Sequence, residues 1–207
     1  MNPDVMRSDK SNVLVPLNDL QAALYRQAVL DFGNPSHNLC LRFAFFGHLN
    51  TQAMKASLSK LALRHELLRA QVRNDEHGLT FGVHSDASIP LRSIDLVSLP
   101  NAKQECEHLL LQEFRRPFDF DETHLIRGVL ISVSNTEHVL GLIAHEIIVD
   151  RAALTLVAWE IAELYGSAIE KRQPRISALH NSTSSIVALQ SEWRKTPAAL
   201  EELRHRP

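Results

Sequence analysis

The sequence predicts a mixed α/β fold, and three observations carry that prediction. Apolar residues recur at helical spacing in several segments, the longest stripe being Leu154, Val157, Ile161, Leu164 and Ala168. Between these segments lie short runs such as LCLRFAFFG and HVLGLIAH, which alternate or are apolar throughout, as strands do. A chain of 207 residues with 44% hydrophobic content can also bury a core of its own.

Each element follows from its own pattern. In LNDLQAALYRQAVLDF, Leu20, Leu24, Ala28 and the run from Val29 to Phe32 share helical spacing, and Gly33 and Pro35 of GNPSHN then break the helix. LCLRFAFFG is an aromatic-rich strand. Asn50 then caps a helix running through TQAMKASLSKLALRHELLR, with Met54, Leu58, Leu61 and Ala62 on one face. LRAQVR and LTFGVH are short strands about the turn NDEHG, and Leu109, Leu110 and Phe114 support a helix in SLPNAKQECEHLLLQEFRR. LIRGVLISVS and HVLGLIAH form a hairpin around NTE, and the second strand is apolar on both faces, as a central strand is. A long helix starts at Asp150, with Trp159 among its apolar positions. The polar stretch KRQPRISALHNSTSS, with Pro174, reads as a linker to a final helix built on Ile186, Leu189 and Trp193. The expected organisation is one lobe over residues 1–171 and a linker with a terminal helical extension over 172–207.

Composition excludes several classes of function. Lys+Arg 22 against Asp+Glu 24 gives a formal charge of -2, which offers no basic field for a nucleic-acid backbone or an anionic membrane. Cys40 and Cys106 belong to no CxxC, so neither a disulfide framework nor a zinc knuckle is expected, and a reducing cytoplasm fits. The N-terminus MNPDVMRSDKSNV is polar, and unbroken apolar runs fall below the roughly 18 residues of a membrane span. A soluble cytoplasmic protein is expected, without nucleic-acid or membrane partners.

One stretch breaks the hydrophobic pattern. LIAHEIIVDRAAL sets His145, Glu146 and Asp150 where a central strand meets the start of a helix, a junction at which backbone N–H groups and side chains converge. Taken singly, Asp150 reads as an N-cap, His145 as a hydrogen-bonded core histidine and Glu146 as a solvated charge. A zinc protease motif fails, because HExxH requires histidine where Val149 stands. There is no GxSxG elbow and no glycine-rich phosphate loop, with seven glycines in all. No metal or bound cofactor is expected.

Several stretches together resemble the condensation domains of nonribosomal peptide synthetases, relatives of the chloramphenicol acetyltransferase-like, CoA-dependent acyltransferases. PLNDLQAALY, residues 16–25, resembles the opening motif PLSxAQxRLW/Y, keeping Leu17, Gln21, Leu24 and Tyr25 with Ala23 at the usual arginine. RHELLRAQV, residues 64–72, is similar to RHExLRTxF, and RPFDFDETHLIRGVLI, residues 116–131, to RPFDLxxxPLLRxxLL. IAHEIIVDRAAL aligns with MHHxxxDGxS, and TSSIVALQSEW resembles YxDYAxWQ, with Leu189 at the tryptophan.

The resemblance implies a chloramphenicol acetyltransferase-like two-layer sandwich, a single N-terminal, donor-side lobe of the usual two-lobe fold plus the start of the crossover. It also implies a site fed by carrier proteins, whose phosphopantetheine arms bring acyl groups to a tunnel between two lobes where an amide bond forms. In that motif the second histidine serves as base or positions the amine, the aspartate is held by an arginine, and the glycine leaves room for the reacting groups. Carried over, the first histidine is His145, the second is Glu146, the aspartate is Asp150 and the glycine is Arg151. Arg64, His65, Glu66, Arg69, Phe118 and Asp150 match the family's framework. Glutamate is the weaker base at neutral pH, and Arg151 is expected to pair with Glu146 or fill the acceptor channel. The expectation is a condensation-like lobe that binds a carrier protein, synthetase module or tailoring partner without catalysis of its own. The other reading is an acyltransferase or amide synthase that uses Glu146, its second lobe supplied by a dimer mate or partner chain. An uncovered apolar face predicts a homodimer.

Overall fold

The computed structural model describes residues 11–76, 78–86, 88–120, 124–179, 182–194 and 196. The elements, in chain order, are β1 (Ser11–Pro16), α1 (Asp19–Leu30), β2 (Asn38–Phe46), α2 (Thr51–Arg64), β3 (Ala70–Asp75), β4 (Gly78–His84), β5 (Leu91–Asp95), α3 (Ala102–Arg115), β6 (Ile126–Ser134), β7 (Glu137–His145), α4 (Arg151–Glu170) and α5 (Thr183–Arg194). Two short 3₁₀ turns, Pro35–His37 and Glu66–Arg69, join them. The strands form a three-stranded sheet in the order β1-β4-β3 and a four-stranded sheet in the order β2-β7-β6-β5.

The four-stranded sheet positions the site. β7 pairs antiparallel with β2 on one side and β6 on the other, and β5 runs parallel to β6 at the edge. β7 is buried along nearly its whole length, as its two-faced apolar pattern predicts. Helices cover opposite faces of this sheet, because successive side chains of β2 point to opposite sides. Asn38 donates to the carbonyls of Phe114 and Arg116 at the end of α3, and Arg42 pairs with Glu107 on the same helix. From the other face Phe45 meets Tyr165 of α4 edge-on. α3 lies so close that a Cβ at Gly141 would come within 2.5 Å of the Leu110 side chain, so the strand needs glycine there.

α4 packs on α2 and on β2, and it buries Leu154, Val157, Ile161 and Leu164. By length and composition it could cross a membrane, but here its apolar stripe faces the core and a fully buried Glu160 interrupts it. α5 lies against β1, and residues 172–179 run back over the end of α2, where Arg64 donates to the Ser177 carbonyl.

Two expectations change. β1 and β5 add to the strands that the sequence pattern predicts; each is an edge strand, and β5 is too exposed to show an apolar pattern. The helix capped by Asn50 ends at Arg64 instead of running through ELLR, because His65 turns extended (φ -110, ψ 103) before the 3₁₀ turn. That break lets Arg64 and His65, which would diverge on a continuous helix, both reach one carboxylate on α4. α1 has no fully buried residue, and Trp159, which the sequence leaves open between core and surface, is 53% exposed.

Candidate functional site

The site is created by strand register. Asn38 at the start of β2 pairs with His145 at the end of β7, so His37 and Glu146 are the next residues beyond that pair. The ladder continues through them, with the Glu146 N–H donating to the His37 carbonyl at 2.8 Å. Their side chains therefore lie side by side, and His37 Nδ1 sits 2.5 Å from Glu146 Oε1. The side chain of His37 is 12% exposed and that of Glu146 31%, so the pair lies at the surface of the site.

His145 lies behind this pair, 4% exposed. Its Nδ1 accepts from the Ile147 N–H at 3.1 Å, so a neutral ring carries its proton on Nε2. Its ring is met edge-on by Phe118 and Phe120 and lies 5.8 Å, centroid to centroid, from His37. Burial first, and the neighbouring His37 second, push its pKa down to about 4, so it is uncharged at neutral pH.

Segments far apart in sequence build the wall around His145. Gln21 completes a capping box with Asn18 at the start of α1 and donates through Nε2 to the Ile147 carbonyl at 3.1 Å. Tyr25 packs edge-on against Phe120. Arg127 on β6 stacks over Phe118 at 3.9 Å and donates to the carbonyls of Glu113 and Arg116, which fixes the RPF segment against the site.

The sequence-selected residues are brought together only in part. His145 and Glu146 lie together with His37 at the end of β7, whereas Asp150 caps α4 by accepting from the Ala153 N–H at 2.7 Å. No arginine among the described residues holds it, which corrects the role that the resemblance implied. Arg64 and His65 instead grip Glu160 on α4, at 2.9 and 2.5 Å. Arg69 donates to the carbonyls of Ala62 and His84, a bracing role, and Glu66 accepts from the Thr183 N–H. Arg151 does not pair with Glu146 as expected: it opens α4 exposed to solvent, while Glu146 is taken by His37. Sequence reasoning misses His37, since in GNPSHN it reads as a loop residue and only register brings it to Glu146. No group of three His, Cys, Asp or Glu suited to a metal is found among the described residues. Ile148 and Val149, in the middle of the motif, also line a cleft of about 500 Å³ between α2, α4 and the start of α5.

This two-sheet α/β lobe is the fold of solved condensation domains. The starter condensation domain of rhizomide synthetase superposes with a TM-score of 0.82 at 16% identity, over 89% of this chain and 45% of that one. The first condensation domain of the calcium-dependent antibiotic synthetase, in complex with substrate analogue 2a, gives 0.76 at 20% identity, over 90% and 44%. The condensation domain model matches residues 12–202, and the chain belongs to that family. Similar curated proteins include chondramide synthase of Chondromyces crocatus, 30% identical over 74% of this chain, and malpinin synthetase of Mortierella alpina, 24% identical over 86%. The chain spans 4% and 2% of the length of these two relatives and about half of each solved structure.

Proposed function

We propose that this chain is a donor-side condensation lobe that works by binding: it receives a carrier protein or synthetase module of nonribosomal peptide assembly and forms no amide bond by itself. The observation that carries this reading is that Glu146 and Arg151 stand where the family motif has a histidine and a glycine. Where the family motif has a histidine, this site offers a carboxylate, a weaker base at neutral pH, and one of its oxygens is already bonded. Arg151 at the motif's glycine adds a long cation at the entrance to α4. The lobe needs no cofactor of its own; the pantetheine arm of the carrier is the form in which an acyl group arrives. Its place is the cytoplasm, alongside the synthetase. Purified chain is expected to retain a loaded carrier protein or synthetase module from its own pathway in a pull-down, and failure to retain any of them removes this reading.

A second reading is favoured by the exposure of the His37–Glu146 pair. In it, a second lobe completes the site, and the completed site transfers a carrier-bound acyl group to a nucleophile. Turnover of a carrier-bound acyl donor that is lost in Glu146→Ala supports it.

A further inference from the structure

We propose that His37 is the proton-transferring residue of this site and that Glu146 is the carboxylate that positions it. The inference rests on the acyl-transfer reading above and assigns the two roles within it. An ionised carboxylate has no proton to give, so the 2.5 Å contact requires His37 Nδ1 to be the donor and Glu146 Oε1 the acceptor. A neutral His37 then carries its lone pair on Nε2, which has no hydrogen-bond partner among the described residues. His145 has the opposite arrangement: its Nδ1 accepts from the Ile147 N–H, so its remaining nitrogen bears the proton. His145 is also 4% exposed and enclosed by Phe118 and Phe120, whereas the side chains of His37 and Glu146 are 12% and 31% exposed. Of the two imidazoles, His37 alone presents a free basic nitrogen to an incoming group.

Glu146 stands where the family motif has a histidine, and His37, the residue just before β2, lies beside it. The Asn38–His145 register puts residues 37 and 146 opposite each other, and the bond from the Glu146 N–H to the His37 carbonyl holds their backbones in step. A carboxylate fixing one imidazole nitrogen so that the other can take a proton is the arrangement general-base catalysis requires. In the step itself, an amine or hydroxyl X–H attacks the thioester carbonyl and its proton passes to His37 Nε2 as the X–C bond forms. The C–S bond then breaks and the same proton goes to the departing sulfur, giving acyl–X and a free thiol with both residues restored.

Two measurements on the full chain test this. ¹⁵N-edited NMR at pH 8 is expected to show His37 as the Nδ1–H tautomer, reverting to the ordinary Nε2–H form in Glu146→Ala; an Nε2–H ring, or an imidazolium at that pH, in the unsubstituted chain overturns the assignment. Acyl transfer from an acyl N-acetylcysteamine thioester is then followed with the chain alone and with the partner it captures. In His37→Gln, kcat is expected to fall about 100-fold or more with little change in KM. Glu146→Gln, which keeps shape but not charge, is expected to lose less and to displace the pH profile. Circular dichroism melting confirms that both variants fold. Turnover indifferent to His37→Gln overturns the inference and leaves the acyl-transfer reading standing. No turnover in the unsubstituted chain removes that reading, and the proton-transfer role with it.

Discussion

His145 shows how one side chain can be read for both stability and chemistry. Its folded pKa of about 4 lies below the ordinary 6.5, because burial opposes the charged ring and His37 repels it. The folded state therefore binds this proton more weakly than the unfolded chain does. The stability it contributes is complete above about pH 6.5 and is lost as the pH falls toward 4, a difference of about 3 kcal/mol. His145→Asn keeps an acceptor for the Ile147 N–H, as asparagine does in an Asx turn, but cannot titrate. Urea unfolding of the two proteins at pH 7.5 and pH 4.5 is expected to show a smaller loss in the variant. Equal losses would mean that the ring gains its proton without penalty in the folded state. The polar interruption in LIAHEIIVDRAAL is legible as a site, but the partner of Glu146 is not. Hydrophobic patterning says which face a strand buries, and it says nothing of a register between residues separated by 109 positions.

Between elements, the strongest tie is the grip of Arg64 and His65 on Glu160, which joins the end of α2 to the middle of α4. Glu160 is 1% exposed, and its two partners about 20%, so its charge is desolvated and depends on them. Glu160→Gln is expected to destabilise the fold by about 3 kcal/mol, read as a lower urea midpoint with an unchanged slope. The Arg42–Glu107 pair, 50% and 63% exposed, is the control, and Glu107→Gln is expected to change stability by less than about 1 kcal/mol. The RHE motif is readable as framework, but its target is not: nothing in the pattern says that the break at His65 turns the side chains of Arg64 and His65 to Glu160 on α4. α2, α3 and α4 are legible because each buries a periodic stripe, and β6 and β7 because they are apolar on both faces. β1 and β5 are not: β2 and β3 are edge strands too, but they carry an alternating or apolar run, whereas the exposed LRSID of β5 shows none.

At the scale of the whole molecule, the described surface has an apolar region on α1 that its own fold leaves uncovered. Leu20, Val29 and Leu30 of α1 are 69%, 52% and 88% exposed, and Phe32 just beyond it is 67% exposed. The helix is held by its capping box, by Gln21 reaching Ile147 and by Tyr25 against Phe120, so its inner side serves the site while its outer side meets solvent. Leu30 and Phe32, close together at the end of the helix and just beyond it, form an exposed apolar spot that favours association, whereas Leu20 and Val29 lie on opposite sides of the helix. The chain is therefore expected to self-associate as its concentration rises, in sedimentation equilibrium. The double substitution Leu30→Glu, Phe32→Glu is expected to weaken that association while leaving the melting temperature nearly unchanged, since neither residue contributes to the core. A chain that stays monomeric at high micromolar concentration would assign this face to a different protein. A fall in melting temperature would instead show that the face is packed within the fold.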